Sequence, residues 1–395
     1  MGSQKSSSSS STNSSSSLTS YTSSDLSSSS SLDSTLSLSS FGSLSLENEN
    51  DIPFTSAMAL TQMGVPCVPE RYVLPPSQRP DTSLTPSPDN SDLPVIDLSL
   101  LDDATSKSQL MTEIKRACKE LGFFQVTNHG VLQSVMKGAL DCASDFFNLP
   151  AEEKMKLGSG DVHTPVRYGT SVNHVKDDVR FWRDFIKHYS HPISDWVHLW
   201  PTDPPDYREK MGRYATALQG LQKKLTSLVF ESLGIDPDYL REEAGQNSQV
   251  LAVNCYPSCP EPEITLGMPP HSDYGTLTIL LQSSPGLQIK KKKENWVSVP
   301  YIDGALIVQL GDQMEVMSNG EYKSIVHRVT VSSDQNRFSI ASLHSLALEK
   351  KIGPVPALVD DNHPVNYQEF SFNDFLNFIE RNEITEGRFI DTLKM

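Results

Sequence analysis

Two kinds of hydrophobic periodicity divide the chain. In TSKSQLMTEIKRACKE (105–120), Leu110, Ile114 and Cys118 recur at helical spacing, with Gly122 beyond as a stop. VLQSVMKGALDCASDFFNLP reads as a second helix closed by Pro150, and 205–234 as a third with Leu218, Leu221, Leu225 and Val229 on one face. Before and between them, LPVIDL from Leu93 and LGFFQVTNHG read as short strands. From residue 248 the pattern becomes short β runs: VLAVNCY, TLTILLQ, GLQIK, WVSVP, ALIVQL, EVMSN, HRVTV and RFSIASLH. Gly and Pro recur between them at the spacing of a sandwich or closed barrel. SFNDFLNFIER (371–381) predicts a helical tail. Helices first and antiparallel strands after predict an α+β fold: a double-stranded β-helix (jelly-roll) barrel flanked by N-terminal helices and a C-terminal helix. The expected division is a helical N-terminal region at 93–245, a barrel at 246–350 and a C-terminal extension at 351–395.

The remaining residues change the picture at the N-terminus. The first fifty are about half serine, with too little apolar surface to offset ordering entropy, so 1–50 is expected to be disordered. Residues 51–92, with VPERYVLPPSQRP and a Pro/Ser/Asp-rich stretch, read as an extended segment and linker. A net charge of −16 argues against nucleic-acid binding, which needs basic surface. Five scattered cysteines fit a reducing compartment better than a disulfide framework. No apolar run is long enough for stable membrane insertion, and no secretory h-region is present. A cytoplasmic monomer is the expectation, with a nuclear location left open. The Ser-rich leader lacks Arg before Arg71 and carries Asp25, Asp33, Glu47 and Glu49, unlike a plastid transit peptide. Met1-Gly2-Ser3-Gln4-Lys5-Ser6 fits the myristoylation pattern at Gly2, though one acyl chain holds a membrane weakly.

The candidate chemistry lies in the β-rich half. In PPHSDYGTLTILLQ, an extended His271-Ser272-Asp273 projects an imidazole and a carboxylate to one side, because residues i and i+2 of a strand share a face. His327, in KSIVHRVTV, can come in from a second strand. Two His and one carboxylate occupy one face of an octahedral metal and leave open positions, which suits non-haem Fe(II) and O₂. Cleaving O₂ needs two electrons, which a chelated 2-oxo acid supplies by decarboxylation. Its far carboxylate needs a partner, and Arg337, ten residues after His327, offers a planar fork that Lys lacks. Ser339 shares its strand face, and Tyr256 in VNCYPSCP is a further donor.

These motifs resemble the plant 2-oxoglutarate/Fe(II)-dependent dioxygenases, a family that includes flavanone hydroxylases, anthocyanidin synthases, gibberellin oxidases and salicylate hydroxylases. The resemblance covers about residues 93–385 and rests on LPVIDLSLL, GFFQVTNHG, the N-x-Y-P motif at Asn254–Pro257, PPHSD, LIVQLGDQMEVMSNGEYKSIVHRV and RFSIAS. It implies iron held by His271, Asp273 and His327, with 2-oxoglutarate bound by Arg337, Ser339 and Tyr256 and Asn254 in the same motif. O₂ is then the oxidant and ascorbate the reductant. It also implies substrate contacts at Tyr168, Phe185, Leu343 and Ser345, from the loop VRYGTSVNH, the helical FWRDFIKHY and the strand after Ser339.

Those four residues describe a mixed apolar pocket with hydroxyl groups and no obvious cation, suited to an aromatic or terpenoid skeleton. His174, Lys187 and His188 are candidate partners for a carboxylate. The expected reaction is oxidation, chiefly hydroxylation, of a small plant specialised metabolite or hormone, with 2-oxoglutarate converted to succinate and CO₂. An ascorbate-driven oxidase of the same fold and a non-catalytic small-molecule sensor stay open. Other conspicuous residues have plainer readings. His129 holds the turn TNHG, Arg328 faces away from His327, Lys290–Lys293 is a solvated hairpin tip, and Cys255 and Cys259 are small buried residues.

Overall fold

The computed structural model describes residues 55–80, 93–173, 176–240, 247–291 and 295–395. The expectations for the leader 1–50, together with His174, Lys292 and Lys293, lie outside these described residues. Among the described residues are twelve strands: β1 Val95–Asp97, β2 Phe123–Thr127, β3 Val166–Gly169, β4 Asp184–His191, β5 Ser248–Tyr256, β6 Met268–His271, β7 Leu277–Gln282, β8 Leu287–Lys290, β9 Trp296–Ser298, β10 Leu306–Leu310, β11 His327–Val329 and β12 Arg337–Ser345. They form an eight-stranded sheet, β1-β2-β10-β7-β12-β5-β4-β3, and a four-stranded sheet, β6-β11-β8-β9. The helices are α1 Ala57–Gln62, α2 Ala104–Glu120, α3 Gln133–Phe147, α4 Ala151–Met155, α5 Ile193–Trp196, α6 Tyr207–Leu233, α7 Asp312–Met317 and α8 Phe372–Arg381.

Strict alternation on β5 shows how the sheet is used. Leu251, Val253 and Cys255 are buried in the main hydrophobic core with Phe146 of α3 and Leu218 and Leu225 of α6. Ala252, Asn254 and Tyr256, on the opposite face, line an internal cavity. Residues of the small sheet, Met268, His271, Leu287 and His327, line the same cavity. The two sheets therefore face one another as the two halves of a jelly-roll, with helices covering the outer face of the larger one.

Three expectations need correction. FWRDFIKHY is not helical, because its alternation of Arg183, Phe185, Lys187 and Tyr189 against Asp184, Ile186 and His188 has period 2, and it forms β4, paired antiparallel to β5 from Asp184↔Cys255 onward. EVMSN is not a strand. Asp312 and Glu315 sit in the first turn of α7, and Asn319 and Gly320, both at positive φ, end the segment just beyond it. The segment read as extended after residue 51 contains α1, whose N-cap Ser56 accepts from Ala59 N. Buried Asp184 fastens that helix to β4: Ser56 Oγ and Ala57 N donate to it, the latter at 2.9 Å.

Candidate active site

His271 ends β6 and His327 begins β11, and the two are direct partners in the antiparallel register. Their ring centroids lie 4.1 Å apart. Asp273 follows two residues after His271, so its Oδ1 stands 3.8 Å from Nε2 of each histidine. The ligand atoms of all three lie within 4.8 Å of one another. Each Nδ1 faces a backbone carbonyl, His271 that of Pro269 at 2.8 Å and His327 that of Ile325 at 3.3 Å. A carbonyl only accepts, so Nδ1 carries the proton and Nε2 presents a lone pair toward the shared space. Burial, followed by the neighbouring His327, pushes the pKa of His271 down to about 3 and keeps it neutral. The buried Asp273 Oδ2 has no hydrogen-bond partner. Two imidazole nitrogens and a carboxylate oxygen left open form a donor set that suits Fe(II).

Backbone contact fixes the carboxylate. A Cβ at Gly311 would lie 2.2 Å from the Gly275 carbonyl oxygen and 2.9 Å from that of Asp273. Asp312 N donates to the Asp273 carbonyl at 2.7 Å, so the start of α7 rests on the ligand loop. Gly311→Ala should therefore cost about 1–3 kcal/mol of stability and weaken Fe(II) binding, read by urea unfolding and by Fe(II) titration. Unchanged values in both would show that this close approach does not position Asp273. Asp312, missed in the sequence, also lines the cavity, and burial pushes its pKa up to about 7.

The second cluster is built by β5 and β12, whose register sets Arg337 opposite Tyr256 and Ser339 opposite Asn254. Arg337 is buried, with its guanidinium carbon 5.0 Å from the centre of the Tyr256 ring. Its Nε donates to the Ser284 carbonyl at 3.0 Å and one terminal nitrogen to Gln282 Oε1 at 2.9 Å, while the other terminal nitrogen has no partner. Asn254 Nδ2 donates to the Ala252 carbonyl at 3.0 Å and reaches Ser339 Oγ at 3.4 Å. Arg337, Ser339, Tyr256 and Asn254 line the same cavity of about 230 Å³ as the histidines and Asp273.

α8 closes that cavity. Ser371 and Asp374 form a reciprocal capping box that starts the helix, and its Phe372 and Phe375 stack on Tyr274, with centroids 4.2 and 4.7 Å away. Phe375, Phe378 and Ile379 line the cavity, and Leu343 lines both it and an adjoining space of about 160 Å³. Phe185 lines only the adjoining space. Tyr168 and Ser345 line neither space. The Tyr168 hydroxyl donates to Asp184 at 3.1 Å, and Ser345 Oγ donates to the Leu346 carbonyl at 3.1 Å. His188 is turned to the outer core, bonded to Tyr207 and Ser190, whereas Lys187 does line the adjoining space. The expectation of no cation there is corrected, because Arg167 and Arg183 line it too. Period-2 spacing from Phe185 would have revealed Arg183 once β4 was recognised as a strand.

The plainer readings hold at two positions. His129 receives the Val131 N–H at 3.1 Å and meets the Gly304 carbonyl at 2.9 Å, tying its turn. Arg328 bonds Gln288 at 2.8 Å and covers the Trp296 ring, away from the three-residue cluster.

Comparison with known proteins agrees with this geometry. Residues 93–205 match the family described as non-haem dioxygenase in morphine synthesis N-terminal, and residues 247–345 match the 2OG-Fe(II) oxygenase superfamily. The chain belongs to the 2OG-Fe(II) oxygenase superfamily. It is a dioxygenase whose reagents are Fe(II), 2-oxoglutarate and O₂. Flavanone 3-dioxygenase 3 of Oryza sativa subsp. japonica is 43% identical over 326 residues, which are 82% of this chain and 98% of the relative. The chloroplastic 2-oxoglutarate-dependent dioxygenase 21 of the same plant is 42% identical over 341 residues, 86% and 96% of the two chains. The crystal structure of JOX2 in complex with 2OG, Fe, and JA has a TM-score of 0.78 and 32% identity, covering 87% of this oxygenase and 98% of that chain.

Proposed function

We propose that this oxygenase hydroxylates a small plant specialised metabolite or hormone, with His271, Asp273 and His327 holding Fe(II) and Arg337, Ser339 and Tyr256 holding 2-oxoglutarate. The observation that carries the assignment is the convergence of three ligand atoms within 4.8 Å, one of them a buried carboxylate whose second oxygen lacks a partner. When bound, iron and 2-oxoglutarate together activate O₂, the 2-oxo acid being oxidised to succinate and CO₂ while the second oxygen atom enters a substrate C–H bond. The chain's own residues set the conditions. The Nδ1 contacts orient both imidazoles, and the open edge of the Arg337 guanidinium is free for the far carboxylate of the cosubstrate, with Asn254 at hand beside Ser339. Tyr274 and the apolar side of α8 shield the reacting space from water.

Ascorbate is the reductant we assign to keep the iron ferrous, and the working unit is a monomer in the cytoplasm. No helix among the described residues is long and apolar enough to cross a membrane. Fluorescent-fusion imaging tests the location, and plastid signal would overturn it. For the site, anaerobic addition of Fe(II) and then 2-oxoglutarate should give a visible metal-to-ligand charge-transfer band that requires both. His327→Ala should not give it. A folded wild-type protein without the band would overturn the residue assignments.

A further inference from the structure

The space adjoining the iron site combines a mostly apolar lining with three cationic side chains. Arg167, Arg183 and Lys187 line it, no Asp or Glu does, and none of the three cations makes an ion pair among the described residues. Arg167 and Lys187 are direct cross-strand partners on β3 and β4, a like-charge pairing that costs stability on its own. Arg183, four residues before Lys187, falls on the same face. Its guanidinium and that of Arg167 both cover the Phe185 ring, at 4.6 and 5.1 Å.

Their present partners are poor ones. Arg183 offers one terminal nitrogen to the Met268 thioether at 2.9 Å and stands beside the Tyr256 hydroxyl, while its buried Nε has no acceptor. Among the described residues Arg167 donates to the Ser171 and Val172 carbonyls, and its buried Nε has no partner there. Lys187 donates to the Val162 carbonyl at 2.5 Å. The carboxylates whose charge reaches them form no ion pair with them and accept from backbone instead: Asp161 from His163 N, Asp177 from Asn173 N and Asp184 from Ala57 N. Burial, then mutual repulsion, pushes Arg167 down to about 10 and Lys187 down to about 7. Cations held in such a setting without an ion pair are expensive, and such clusters beside a reaction centre mark ligand sites.

We propose that the substrate is an organic carboxylic acid whose carboxylate binds Arg183, with Arg167 and Lys187 behind it, and whose apolar skeleton reaches across Leu343 and Met268 to the iron. Arg183 lines both spaces, so a carboxylate there leaves the rest of a single-ring skeleton lying toward His271 and Asp273. Small Ala252 and Ala341, register partners on β5 and β12, leave the room between. The inference deepens the site assignment above and rests on it.

The test uses the full chain loaded anaerobically with Fe(II) and 2-oxoglutarate. The probes are 3-phenylpropanoate, cyclohexylacetate and indane-2-carboxylate, each beside its methyl ester, with binding read by calorimetry. At least one acid should bind at least about tenfold more tightly than its ester. That preference should fall below about threefold in Arg183→Met and in Lys187→Met. The charge-transfer band reports folding and loading in each variant, and Lys187→Met carries the test if the more buried Arg183→Met fails to fold. Equal binding of every acid and ester, no binding by any acid, or a preference that survives Lys187→Met would overturn the proposal. With the band present, such a result leaves the iron and 2-oxoglutarate assignment standing; a missing band in wild-type protein overturns both.

Discussion

Asp273→Ala should abolish turnover to the level of metal-free protein while leaving apo-protein stability unchanged or slightly higher. The two halves of this expectation have different physical origins. Loss of activity follows from the donor set, because two imidazoles alone do not hold one face of an octahedral ferrous ion, and the carboxylate is the only anionic ligand of the three. Stability is preserved because the fold depends on the backbone of Asp273, not on its side chain. Its carbonyl accepts from Asp312 N at 2.7 Å, a bond that Ala keeps, and His271 and His327 remain register partners. In the apo protein the side chain is a cost, since a buried carboxylate oxygen without a partner is desolvated for nothing. Steady-state assays and thermal unfolding without metal check both halves. Retained turnover would remove Asp273 from the metal. A large drop in apo stability would show that its carboxylate holds the loop together.

The contrast between function and stability at one residue mirrors what the sequence made legible. His271 and Asp273 could be paired by eye because i, i+2 spacing in an extended segment is a local rule. Arg337 and Ser339 follow the same rule on β12. The meeting of His327 with His271, and of Tyr256 with Arg337, depends on sheet register, which no local pattern states, and there the family motifs supplied the link. The substrate side was less legible for the same reason. Read as a helix, FWRDFIKHY puts Phe185 away from the face that Arg183 and Lys187 share at i, i+4; as β4 all three share one face, and β3 brings in Arg167 opposite Lys187. Tyr168 was misplaced by one step of alternation. It is the neighbour of Arg167, and successive residues of a strand face opposite ways, so its hydroxyl goes to Asp184.

Arg337→Lys isolates the cosubstrate end in the same way. The apparent 2-oxoglutarate requirement should rise about ten- to a hundredfold, with kcat at saturating cosubstrate changing much less, because the contact holds ground state and transition state alike. Charge is kept in this variant, so the loss measures geometry. The guanidinium is held by Ser284 and Gln282 on two nitrogens and lies over the Tyr256 ring, which leaves its third nitrogen pre-aimed. An ammonium can satisfy one acceptor at that distance, but it has no fork, no flat face for Tyr256 and no way to keep both existing bonds while meeting a carboxylate. Two-substrate kinetics in 2-oxoglutarate, with Fe(II) saturating, provides the number. An unchanged requirement would place the far carboxylate of the cosubstrate on some other group. Arg183, the other buried guanidinium facing Tyr256, would then be the first to reassign, and the carboxylic-acid substrate proposed above would lose its anchor.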